Sequence, residues 1–247
     1  MTLDDIRKLQ YKKYRNRFAC FLVEGEHLVL ELQKAALSNP ALLETRLYVS
    51  GSHADWQGPL HKQVLDERQM AKISATETPQ GIVAVVPLAA LPGGKAGRAE
   101  RAIYLHEVQD PGNLGSILRS MAWFGGFRCL LSPGCVDPCS PKVVRASMGA
   151  IFHVPVETAV PLASLAERFT SLACLDMQGK VLPEPGFRQH DCFVFGNEAR
   201  GVPPEAGTEL GATAYTIRGS GSIDSLNLAA TVGICLYEID SAAQLLA

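Results

Sequence analysis

The stretch Phe195-Gly196-Asn197-Glu198-Ala199-Arg200-Gly201-Val202-Pro203 decides how this chain is read. Ahead of it, Cys192, Phe193, Val194 and Phe195 form a short apolar run, the pattern of a buried strand. The run stops at Gly196, turns through polar residues and resumes at Val202-Pro203-Pro204, where proline suits a first helical turn. Ligands of parallel α/β sheets collect at the carboxyl ends of strands. Here that end carries an amide, a carboxylate and a guanidinium within four residues.

Upstream, the same grammar recurs. Ala102-Ile103-Tyr104-Leu105 reads as a strand, residues 109–113 as a turn and 114–124 as a helix. Gly112 and Gly115 let the backbone approach a ligand, free amides at a helix start attract anions, and Arg119 follows one turn later. Downstream, the loop Arg218-Gly219-Ser220-Gly221-Ser222 leads into Ser225-Leu226-Asn227 at the mouth of an apolar helix over 225–239. Ser225 is a natural N-cap for that helix; Asn227 suits its interior poorly unless it binds something.

The remaining chain sets the frame. Residues 3–18 place Leu3, Ile6, Leu9 and Tyr14 at helical intervals beside Arg7, Lys8, Lys12, Lys13, Arg15 and Arg17. This predicts one helix with a basic face, either simply solvated or touching phosphates. Strands at 21–23, 46–50 and 81–86 alternate with helices at 27–37 and 66–73, a small α/β unit. Residues 91–99, rich in Gly and Pro, read as a linker between a first domain over 1–90 and a second over 100–247. Further strands are expected at 127–131, 172–175 and 214–217, and helices at 141–151 and 162–169.

Forty-seven per cent hydrophobic and 19% charged residues describe a globular chain, and a net charge of −2 excludes binding to nucleic acid by bulk charge alone. Seven scattered cysteines do not form a disulfide framework, and Cys135 and Cys139 lack partners spaced for a metal. No leader peptide or run of about 18 apolar residues is evident, so a reducing, cytoplasmic setting is expected. His106, beside Glu107 at a strand end, is a conceivable base; His153, between Phe152 and Val154, reads as structural.

Together the three stretches resemble the SpoU (TrmH-like) family of RNA ribose 2′-O-methyltransferases, within the SPOUT superfamily. The resemblance rests on Asn113 with Arg119, on Gly196-Asn197-Glu198-Ala199-Arg200-Gly201 and on Ser225-Leu226-Asn227, in the family's order, with Ser140-Pro141-Lys142-Val143-Val144-Arg145 between. It implies a carboxyl-terminal α/β domain with a parallel sheet and a trefoil knot, and it implies homodimers. Glu24-Gly25 and Thr78-Pro79-Gln80-Gly81 resemble the small ribosomal-protein-like domain that binds substrate in many members.

The implied cofactor is S-adenosylmethionine, held near Gly196, Asn197, Gly201, Ile217 and Leu226. The implied reaction is methyl transfer to a ribose 2′-hydroxyl, on ribosomal RNA rather than tRNA, with no metal and no membrane. Arg119, Asn113, Glu198, Ser225 and Asn227 would be its catalytic residues, and Lys12, Lys13, Arg15, Lys142 and Arg145 its RNA contacts. Arg119 would serve as a base or as a phosphate clamp. A tRNA 2′-O-methyltransferase, a SPOUT enzyme acting on a base nitrogen, and a non-catalytic RNA-binding protein of this fold are the alternatives.

Overall fold

The computed structural model describes residues 1–76, 78–93 and 101–244, the last four of them by backbone alone. Most of the expected linker, residues 94–99, lies outside the described residues. The chain forms two compact units: Met1–Pro92 with Asp137–His153, and Gly93–Val136 with Val154–Ala247.

The first unit is built on a four-stranded sheet of β1 (Cys20–Glu24), β4 (Ile82–Pro87), β2 (Arg46–Val49) and β3 (His61–Val64), in that spatial order. Only the β2–β3 pair is parallel. The expected single basic helix is two, α1 (Leu3–Lys8) and α2 (Lys12–Phe18). Thr2 caps the first, and the chain re-enters helix only at Lys12. Ile6 and Leu9 pack with Leu22, Tyr48, Met70 and Val83, while α3 (Glu26–Ala36) and α4 (Glu67–Ile73) complete the cover.

The segment Asp137–His153, expected within the second domain, packs in this unit instead. Its helix α6 (Pro141–Ser147) buries Val143 and Val144 and lies against β1. The helix ends at Ser147 rather than residue 151, because Met148 and Gly149 both adopt positive φ. A 3-10 turn over Ala150–Phe152 buries its own side chains and leaves His153 exposed, which corrects the structural role expected for it.

The second unit is an all-parallel six-stranded sheet in the order β10 (Thr213–Thr216), β8 (Leu172–Val181), β9 (Cys192–Phe195), β5 (Arg101–Leu105), β6 (Phe127–Leu131), β7 (Val156–Glu157). The central strands β5, β6 and β9 are almost wholly buried, as strands covered on both faces must be. The helices α5 (Pro111–Phe124) and α9 (Leu228–Gln244) pack on each other, and α7 (Leu165–Arg168) and α8 (Glu205–Thr208) are single turns. Buried Val232, Cys235, Leu236 and Ile239 fix α9, each apolar side chain contributing about 1.5–3 kcal/mol. No helix among the described residues is long and apolar enough to cross a membrane. All seven cysteines are free. Burial pushes the Cys192 and Cys235 thiols up to about 12, which leaves them inert at neutral pH.

Candidate active site

Three loops meet at the carboxyl ends of β5, β9 and β10. After β9 the chain makes a tight turn closed by reciprocal backbone bonds, Asn197 N–H to Gly201 O (3.0 Å) and Gly201 N–H to Asn197 O (2.8 Å). A Cβ on Gly196 would lie 2.0 Å from the Gly201 carbonyl carbon and 2.2 Å from the Val202 nitrogen, so only glycine fits where the chain folds onto itself. Gly201 takes a φ of +73°, which glycine adopts freely. The Asn197 side chain locks the turn. Its Oδ1 accepts from the N–H groups of Ala199 and Arg200, and its Nδ2 donates to the Glu107 carbonyl (2.7 Å) at the end of β5.

After β5, helix α5 begins earlier than expected, with Pro111 in its first turn and Asp110 as N-cap accepting from the Asn113 N–H (2.7 Å). Asn113 therefore sits in the first turn of α5 rather than in the loop. The third loop also differs from expectation. Ser225 does not cap the last helix; Asn227 does, its Oδ1 accepting from the N–H groups of Ala229 (2.9 Å) and Ala230 (3.2 Å). That explains an asparagine at this position.

The cap also fixes the asparagine's orientation, since an oxygen occupied by two amides leaves Nδ2 to donate elsewhere. It donates to Asn113 Oδ1 (2.9 Å), and Asn113 Nδ2 in turn donates to Glu198 Oε1 (3.1 Å). Asn227, Asn113 and Glu198 thus form one directional hydrogen-bonded chain across residues separated by 114 and 85 positions.

Arg119 and Ser225 stand outside that chain. Arg119 is exposed and makes no hydrogen bond or ion pair among the described residues, and Ser225 is exposed as well. Ile217 is half-buried, Leu226 is 47% exposed, and from Arg218 to Leu226 no backbone–backbone hydrogen bond forms among the described residues. This loop therefore offers apolar surface and unspent backbone donors and acceptors together.

Sequence reasoning missed Glu107 and Arg200 as partners. Glu107 holds a left-handed φ of 50°, accepts from Asn197 Nδ2 on its carbonyl, donates its N–H to Ser132 Oγ (2.8 Å), and ion-pairs with Arg200 through its carboxylate. The signal available was a charged residue two positions past an apolar strand. His106 next to it is half-buried with an unpartnered Nδ1 and lies outside the asparagine chain.

The RNA contacts expected in the first unit divide. Lys12, Lys13 and Lys142 are exposed and Arg145 is half-buried. Arg15 is a correction: its side chain is 4% exposed, pairs with Asp137 Oδ2 at 2.6 Å and donates to the Leu9 and Gln10 carbonyls. It closes the break between α1 and α2 and cannot reach RNA. No group of His, Cys, Asp or Glu among the described residues is arranged to hold a metal.

Residues 100–237 match the model of the SpoU rRNA Methylase family. The chain belongs to this family. It is accordingly an RNA methylase, and residues 2–84 match an MRM3-like substrate binding domain. The 23S rRNA (guanosine(2553)-2′-O)-methyltransferase RlmP of Bacillus subtilis is 30% identical over 243 residues, covering 95% of this chain and 94% of that protein. A TrmH-family protein from Porphyromonas gingivalis superposes with a TM-score of 0.80 at 32% identity, over 97% of each chain. An AdoMet-bound rRNA methyltransferase from Sinorhizobium meliloti superposes with a TM-score of 0.76 at 27% identity, over 97% of this chain and 94% of that one.

Proposed function

We propose that this protein transfers a methyl group from S-adenosylmethionine to a ribose 2′-hydroxyl of ribosomal RNA. The observation that carries the reading is the Asn227–Asn113–Glu198 chain, which joins the three motif-bearing loops at one sheet edge. The relatives named as rRNA methyltransferases and the matched substrate-binding unit support ribosomal RNA over tRNA.

The loop from Ile217 to Leu226 suits the cofactor: a half-buried isoleucine and an exposed leucine offer an apolar seat, and unbonded backbone groups can read an adenine edge. Gly196, Asn197 and Gly201 form its other wall. S-adenosylmethionine supplies an electrophilic methyl group when bound. Arg119, whose guanidinium can only donate, clamps the RNA phosphate and steadies negative charge growing on the ribose oxygen. Asn113 and Glu198 stiffen the floor beneath, and Ser225 and Asn227 position the ribose. Holding donor and acceptor in line at about 3 Å is the main task of such a site.

In the same reading Lys12, Lys13, Lys142 and Arg145 meet the RNA backbone, the second and third stretches form a trefoil knot, and the enzyme works in the cytoplasm. It acts as a homodimer: the packed pair α5 and α9 exposes Trp123 (84%), Tyr237 (63%) and Ile234 (43%), apolar area suited to a second copy. Tyr237→Glu would leave a monomer in light-scattering chromatography.

The decisive experiment follows tritiated methyl from S-adenosylmethionine into unmodified ribosomal RNA, then hydrolyses with alkali. Ribose-methylated sites resist cleavage and appear as labelled dinucleotides, absent with Arg119→Ala. Label in mononucleotides would refute the ribose assignment, and cofactor binding without any label would refute catalysis.

A further inference from the structure

The Glu107–Arg200 pair combines rigid mounts with exposed heads. One side chain, the 9% exposed Asn197, holds the backbone at both ends of it, accepting from the Arg200 N–H and donating to the Glu107 carbonyl. Ser132 Oγ accepts from the Glu107 N–H, which completes a left-handed backbone that a non-glycine residue adopts at a cost of about 1–2 kcal/mol. The charged ends remain in solvent: the Arg200 side chain is 66% exposed and that of Glu107 33%. An exposed ion pair contributes only about 0–1 kcal/mol, too little to account for the conformation that presents it. Among the described residues Arg200 contacts Glu107 through Nη2 alone, so Nε and Nη1 stay open to another anion. Arg200 also lies two residues beyond Glu198, on the turn that carries the asparagine chain.

We infer that Arg200 binds an RNA backbone phosphate beside the reacting ribose, and that Glu107 is its internal counter-ion in the free enzyme. The inference rests on the RNA methyltransferase reading above. On binding, the phosphate takes the open edge of the guanidinium and displaces the carboxylate; no covalent bond changes. Glu107 neutralises Arg200 when no RNA is bound and repels phosphates that fail to engage it, so the pair tunes affinity and favours release of the methylated product.

The two residues should therefore act with opposite sign. With full-length protein, S-adenosylhomocysteine and unmodified ribosomal RNA transcribed in vitro, Arg200→Ala should weaken RNA binding roughly tenfold and lower the salt slope by about one. Arg200→Lys should keep the slope while losing part of the affinity, since charge remains and the fork does not. Glu107→Gln should tighten RNA binding by about two- to fivefold, and Glu107→Gly, which suits the left-handed backbone, does the same if the glutamine variant folds poorly. S-adenosylhomocysteine affinity, measured alongside, should hold within about twofold in all four variants. Unchanged RNA affinity and slope in Arg200→Ala would overturn the inference, as would weaker binding in both Glu107 variants. If wild-type protein labels no ribose, the methyltransferase reading falls and this inference with it. If wild type labels ribose while Arg200→Ala binds RNA as wild type does, only this inference falls.

Discussion

Asn227 performs two tasks with opposite ends of one amide, and two substitutions separate them. Its oxygen caps α9 through two backbone N–H groups, and its nitrogen donates to Asn113. Asn227→Ala removes both. Loss of an N-cap costs about 1 kcal/mol and loss of one hydrogen bond about another, so stability should fall by roughly 2 kcal/mol. Asn227→Asp keeps the cap, and its charge at a helix N-terminus is favourable. It cannot donate, however, so Asn113 must either face an acceptor with its oxygen or rotate and turn that oxygen on Glu198. Stability should stay within about 1 kcal/mol of wild type, while kcat/KM for ribosomal RNA falls about tenfold or more, the equivalent of one lost contact of about 1.4 kcal/mol. Urea denaturation and amide exchange at Ala229 and Ala230 report the cap; single-turnover methyl transfer reports the chain. An aspartate variant with wild-type turnover would refute the claim that the asparagine chain organises the site. An alanine variant as stable as the aspartate one would refute the cap.

Other perturbations follow from particular contacts. Arg15→Ala strands Asp137 beside the α1–α2 break and should cost about 3–5 kcal/mol in urea denaturation. Gly196→Ala drives a Cβ into the Gly201 backbone and should abolish cofactor binding in calorimetry even if the fold survives. Burial lowers the His190 pKa below 6.5, its ring lying between Ser171 Oγ and Tyr215 Oη. The unfolded chain then binds the proton more readily, so stability should fall as pH drops below about 6.5, and His190→Gln should flatten that slope in urea midpoints. Ala19, which ends α2 with a φ of 50°, should gain about 0.5–1 kcal/mol as glycine in the same assay.

Much of the architecture was legible because strand and helix periods differ and the punctuation is strong. The buried runs of β5, β6 and β9 each end at a polar turn, and Pro141 marks a helix start, whereas the start of α5 at Pro111 was read three residues late. Strand β3 escaped notice because His61-Lys62-Gln63-Val64 is a mostly exposed edge with no apolar alternation. Strand β8 was read short for the same reason, since its second half is exposed. Arg15 looked like one more cation on a basic face because its partner lies 122 residues away. The N-cap was misplaced by two residues: serine is the better-known cap, and the sequence does not show that Asn227 also reaches Asn113. Glu107 was visible, but its left-handed backbone and its hold on Arg200 are tertiary facts.

The asparagine chain also has a consequence in time. Asn113 and Glu198 leave the ribosome long before Asn227, so the sheet can condense while its carboxyl edge still lacks one member. No fragment ending before residue 227 carries the assembled chain, however well its strands pair. Contacts spanning 85 and 114 residues also close slowly, because loop entropy is lost before such contacts form. Competence for chemistry thus waits for Asn227, and a nascent chain stalled before that residue would be inactive.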